Sequence, residues 1–117
     1  MTPEARKRLL DAAEACAAIA EFTQGKDFAA YERDRILRSA VERQFEIVGE
    51  ALGRAGESDE SLERLIPELP RIVALRNRII HGYDSVDDEI VWDIVQNKQP
   101  ASEIQLSKLL SDEGARE

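Results

Sequence analysis

Four side chains that can handle a phosphate ester and a proton fall within eight residues: Arg76, Asn77, His81 and Tyr83. An arginine can hold a non-bridging phosphate oxygen and the charge that develops on it as a bond breaks. An imidazole, with an ordinary pKa of about 6.5, gives or takes a proton near neutrality. In RNA the 2′-hydroxyl is an internal nucleophile, so this set suits phosphodiester cleavage without a metal. In-line cleavage is helped by a base and an acid together, yet the chain has one histidine. A two-fold homodimer with the two segments facing each other would supply a pair.

The arginine is the odd member. On a helical wheel of about 100° per residue, Ile72, Val73, Leu75, Ile79 and Ile80 all fall within roughly 100° of Arg76, while Arg71, Ala74 and Arg78 lie opposite. Arg76 therefore sits inside the apolar arc, where a guanidinium is costly unless paired and hydrogen-bonded. Two readings stand. One is a structural ion pair, for instance with Glu50 at the edge of the preceding long helix. The other is an arginine held in a cleft to meet an anion. Each companion has a plain reading too: His81 as a helix C-terminal cap, Tyr83 as packing. The joint case rests on their clustering in residues 69–83, a stretch with three arginines and no acid.

The elements that must position this stretch read as helices. Thr2, Pro3 and Glu4 form a start signal, an N-cap hydroxyl followed by proline and an acid. An alanine-rich helix then runs to about Thr23 before Gly25, with Leu9, Ala13, Cys16, Ala17, Ile19 and Ala20 as its apolar stripe. A second, longer helix is expected from about Phe28 to Arg54, with Ile36, Leu37, Ala40, Val41, Gln44, Ile47, Val48, Ala51 and Leu52 at helical spacing. Gly49 inside it permits close helix packing. Gly53, Gly56, Ser58 and Asp59 mark a break. A short helical piece to about Ile66 stops at Pro67 and Pro70.

The third long segment begins near Pro70 and ends at Gly82, a residue suited to the left-handed C-cap. Asp87, followed by Asp88 and Glu89, caps a fourth helix carrying Ile90, Val91, Trp92, Ile94 and Val95, which stops before Pro100. The tail, with Ile104, Leu106, Leu109 and Leu110, is expected to add a last helix before it frays. The expected fold is all-α, a small antiparallel bundle of four to five main helices. It forms one domain over residues 1–117, with 1–4 and 112–117 fraying.

Composition narrows the function. The 117 residues carry 16 basic and 24 acidic side chains, a net charge of −8. The residues outside 69–83 hold 13 of those bases and all 24 acids, a balance of −11. Such a surface argues against coating nucleic acid non-specifically, which needs many phosphate contacts, but leaves room for a local basic site. No apolar run reaches the roughly 18–20 residues of a membrane span, and the first residues lack a signal-peptide core. One cysteine, Cys16, forms no internal disulfide and reads as a small core residue in a reducing cytosol. Asp84, Asp87, Asp88 and Glu89 could suggest a magnesium site, but helix capping accounts for the last three, and neither metal nor cofactor is expected.

The string Arg76-Asn77-Arg78-Ile79-Ile80-His81-Gly82-Tyr83 resembles the Arg-x4-His-x-Tyr signature of HEPN-domain ribonucleases. The wider sequence is similar to the HepT-like branch, toxins paired with a minimal nucleotidyltransferase antitoxin. The supporting residues are Ala40-Val41-Glu42-Arg43, Ile47-Val48-Gly49-Glu50-Ala51, Val86-Asp87 and Ile90-Val91-Trp92, over roughly residues 5–100. The resemblance implies a helical homodimer whose facing signatures cut RNA without a metal. It would make Arg76 the phosphate ligand, His81 the acid or base, Asn77 an orienting group and Tyr83 part of the cleft wall. It also implies that the antitoxin transfers AMP from ATP to Tyr83, placing bulk and anionic charge where RNA must sit. Ser85 and His81 are the other candidate acceptors at this site; Ser85 matches no family position, and the other tyrosine, Tyr31, is remote in sequence. A different class of function is a non-catalytic module that serves a nucleotidyltransferase as partner and acceptor. A plain helical dimerisation domain would leave Arg76 unexplained.

Overall fold

The computed structural model describes residues 1–66, 69–81, 88–97, 104 and 106–111. Six helices appear among them: α1 (Pro3–Thr23), α2 (Phe28–Arg33), α3 (Arg35–Ser58), α4 (Leu62–Leu65), α5 (Leu69–His81) and α6 (Asp88–Asn97), with residues 106–111 also helical. No strand occurs among the described residues, so the all-α expectation holds. None of these helices is long and apolar enough to cross a membrane.

The helix starts follow side-chain chemistry. Thr2 Oγ1 accepts from the Ala5 amide at 3.0 Å, with proline in the first turn, as the opening residues suggested. Gly25 has φ +72°, a left-handed conformation that releases the chain after α1. The expected single helix from Phe28 to Arg54 is in fact two. Asp34 ends α2, and its carboxylate accepts from the Leu37 amide at 3.1 Å to begin α3, so the two meet without a linker. At the other end α3 passes through Gly53 and Gly56 to Ser58. Each glycine costs about 1 kcal/mol in a helix interior, but Ala51, Leu52 and Ala55 are buried along those turns and hold the helix together. Asp59 then caps α3 and accepts from the Ser61 amide and hydroxyl.

The central helix is α3, flanked by α1 and α5. The Thr2 and Ser58 hydroxyls lie 3.1 Å apart, so the start of α1 meets the end of α3 and the two run antiparallel. On the other flank Val73 faces Gly53 while Arg76 faces Gly49, so α5 also runs against α3. The core comprises Leu9, Ile19, Val41, Leu52, Leu62, Val91 and Leu106, all at most 2% exposed. Cys16 lies in it, as expected. Two stripes differ from the wheel. On α1, Ala17 and Ala20 are exposed and Ala5, Ala12 and Ala15 are buried instead; on α3, Ile36 is 84% exposed and Phe45 is buried.

Candidate active site

A cleft of about 660 Å³ opens where α1, α3 and α5 meet. Arg8 and Glu14 line it from α1, Arg43, Glu46 and Glu50 from α3, and Arg76 from α5. Gly49 explains how Arg76 occupies an apolar arc. A Cβ at residue 49 would fall inside the envelope of Arg76 Cβ, stand 2.8 Å from its Cγ and 3.3 Å from the Ile72 carbonyl oxygen. The missing side chain thus seats the aliphatic stem of Arg76 on α3, and the charged head emerges at the cleft.

That head is well held. Arg76 Nη2 donates to Glu50 Oε2 at 2.7 Å, and Nη1 donates to Asn77 Oδ1 at 2.8 Å. Arg54 Nε donates to the other oxygen, Glu50 Oε1, at 2.6 Å. The Glu50 carboxyl is held below its ordinary pKa first by that hydrogen bond from Arg54, with the charges of Arg54, Arg76 and Arg8 adding to it. The ion pair expected with Glu50 is therefore present. It lies at a cleft, with side chains 28% and 40% exposed.

Of the sequence-derived site residues, the structure joins Arg76 and Asn77 directly. His81 is the last residue of α5, five positions beyond Arg76 and so about 7.5 Å further along the axis; its side chain lies outside the described residues. Gly82, Tyr83, Asp84, Ser85 and Asp87 also lie outside them. Asp88 and Glu89 occupy the first turn of α6, and Asp88 stands 3.8 Å from Arg38 Nε. No group of three metal-ligating side chains converges among the described residues.

Nothing in the sequence assigns Arg8, Arg43 or Arg54 to the site, although Arg43 lies in a stretch that carries the resemblance. The Glu50–Arg54 spacing of four was a legible cue; Arg8 comes to the cleft only through the packing of α1 on α3.

A second cluster gathers around Glu42, two turns nearer the start of α3, with Tyr31 from α2 and Asp88 and Trp92 from α6. The Tyr31 phenol is wholly buried, its ring 5.1 Å from that of Trp92. Its hydroxyl has no hydrogen-bond partner among the described residues. Burial raises its pKa far above the ordinary phenol value, with the charges of Glu42 and Asp88 pushing the same way. Glu42 is likewise raised, by burial first and then by Asp88, against the opposing field of Arg38.

Residues 12–109 match the model of a family described as ribonuclease HepT-like. A candidate RNase of Methanocaldococcus jannaschii is 32% identical over 111 residues, covering 93% of this chain and 89% of the relative. A probable ribonuclease HepT of Thermococcus cleftensis is 34% identical over 103 residues, covering 86% and 91%. A candidate RNase of Caldanaerobacter subterraneus is 28% identical over 98 residues, covering 84% and 87%. No solved structure gives a significant match.

Proposed function

The chain belongs to the HepT-like ribonuclease family, and from that premise we propose that it is the toxin of a toxin–antitoxin pair, a homodimeric endoribonuclease that needs no metal. The observation that carries this reading is Arg76. Its stem is locked against Gly49, its head is braced by Glu50 and Asn77, and it faces a cleft rather than the core. A guanidinium fixed before substrate arrives stabilises a phosphorane-like charge without reorganising. Asn77 orients Arg76 from the same helix. His81, on the last turn of α5, moves the proton, and the partner subunit's equivalent histidine completes the acid–base pair. The 2′-hydroxyl attacks the adjacent phosphorus, the 5′-oxygen leaves with a proton, and a 2′,3′-cyclic phosphate remains.

Control falls to Tyr83. Its phenol oxygen attacks the α-phosphorus of ATP in the antitoxin's active site, pyrophosphate leaves, and the adenylate fills the cleft mouth. The burial of Tyr31 supports this choice, because the chain's other phenol is out of reach of a partner enzyme.

His81→Ala is expected to lose cleavage by about 10²–10⁴-fold, while EDTA leaves the parent unaffected. Cleavage surviving in that variant, or abolished by EDTA, overturns the assignment. Incubation with ATP and the cognate nucleotidyltransferase is expected to add AMP to Tyr83 and silence cleavage. Mass spectrometry that finds the adduct on Ser85, or at parental levels on Tyr83→Phe, removes the proposed control. A parent that accepts AMP yet cuts no RNA would instead be a non-catalytic acceptor module.

A further inference from the structure

We propose that Arg8 is a second phosphate-binding residue of the cleft, holding an RNA phosphate neighbouring the one at Arg76; this rests on the ribonuclease reading above. Three arginines line the cleft among four acids, Asp11, Glu14, Glu46 and Glu50, and the arginines are not equivalent. Arg43 is spent on Glu46, its Nη1 donating to Oε2 at 3.0 Å. Arg76 is shared with Glu50 and Asn77. Arg8 lies near enough to Glu50 to help keep that carboxyl ionised, yet makes no ion pair with it or with any other described residue. Its Nε is withdrawn from solvent with no hydrogen-bond partner among the described residues.

The root of Arg8 is fixed, because Ala5, Leu9 and Ala12 around it on α1 are wholly buried. A positioned guanidinium with donors to spare is what a phosphate takes up in bidentate fashion. The wider charge makes such a residue consequential. A chain of net charge −8 repels RNA at a distance, so affinity has to come from a few cations at close range. Arg6 supplies a matched control. It is on the same helix, half-buried, with a similarly unpartnered Nε, but it does not line this cleft.

The test uses a single-stranded 2′-O-methyl oligoribonucleotide, which lacks the attacking hydroxyl, titrated by fluorescence anisotropy over a salt series. Arg8→Gln is expected to weaken binding several-fold and to flatten the slope of log Kd against log salt by about 0.7, the value of one lost single-strand phosphate contact. On the cleavable RNA it raises KM and leaves kcat within about twofold, while Arg8→Lys restores most of the salt slope and Arg6→Gln changes neither. Where Arg8→Gln melts early, the parent answers instead: bound oligonucleotide slows phenylglyoxal modification of Arg8, mapped by mass spectrometry.

Parental affinity, slope and KM in a folded Arg8→Gln, or unprotected Arg8 in the parent complex, overturn the proposal while the ribonuclease reading stands. The same holds if Arg8→Gln spares RNA binding but loses the antitoxin. A parent that binds the oligonucleotide through Arg8 yet cuts no RNA removes the ribonuclease reading alone. A parent that neither binds nor cuts removes both.

Discussion

Glu42 and Glu50 lie two turns apart on α3 and have been put to opposite uses. Around Glu50 the neighbours are cations, Arg54, Arg76 and Arg8, and its carboxyl is held below the ordinary value. Around Glu42 the surroundings are a buried phenol, Asp88 and Glu46, with Arg38 as the opposing charge, and its carboxyl is raised. One acid is a brace whose charge is used; the other is an acid whose charge is a cost. The same helix thus separates a cleft where arginines surround Glu50 from an end held by aromatic packing between Tyr31 and Trp92. The difference lies in the surroundings and not in residue type, since each glutamate has an arginine beside it.

The strongest way to break the contrast is to unseat Arg76. Gly49→Ala puts a methyl group into the space of the arginine stem. It is expected to cost about 1–3 kcal/mol, visible as a drop in Tm, and to depress cleavage as well. Gly53→Ala is the internal control, because its Cβ would meet Val73 Cγ2 at an ordinary 3.6 Å and the helix gains up to about 1 kcal/mol in propensity. Equal melting temperatures for the two variants would show that the α3–α5 contact is not the seat described.

A smaller effect is expected at the brace itself. Glu50→Gln keeps the shape and removes the charge. The pair is partly exposed, so stability changes by at most about 1 kcal/mol, but kcat falls roughly 10-fold as Arg76 loses its fixed position. KM holds or decreases, because a competing anion has gone. An unchanged kcat would leave Glu50 a surface ion pair and nothing more.

The smallest effect distinguishes the two acids by pH. Because Glu42 binds its proton more tightly folded than unfolded, its charge opposes folding above its raised folded pKa, and that penalty fades as pH falls through that value and is gone below the unfolded one. Glu42→Gln should therefore stabilise the fold at pH 7 by roughly 0.5 kcal/mol after solvent screening, seen as a higher Tm, and not at pH 3. For Glu50 the sign reverses: its contribution is present above the unfolded pKa and lost as pH falls through the lowered folded value. A Glu42→Gln variant that melts earlier at pH 7 would erase the distinction.

Much of this was legible in the chain, for identifiable reasons. The Thr2-Pro3-Glu4 start is local chemistry, and the structure reproduces it. Arg76 stood out because one charge in an apolar arc breaks a strong pattern, and Glu50 was within reach as its partner. Gly49 was read as close packing, which it is. What was not legible depended on tertiary context. Alanines carry little hydrophobic contrast, so the phase of the α1 stripe was set by what α3 presents to it, not by periodicity. Asp34 sits within a run of helix formers, and its capping role appears only once α2 and α3 turn against each other. Gly53 and Gly56 look like stops until Val73 and the buried Ala55 are placed beside those turns. Arg8 carries no local signal at all.

The empty position at Gly49 has a consequence for how such chains can diverge. A side chain there and an arginine at 76 compete for one volume, so the two positions cannot drift independently. Any lineage that enlarges residue 49 must strip residue 76 back to glycine or move α5 away, because the overlap is with Cβ itself, and either step takes the guanidinium from its seat. Among related chains, a residue larger than glycine at this point on the central helix should therefore coincide with loss of the arginine. That pairing would mark copies that have kept the bundle and given up the chemistry proposed for Arg76.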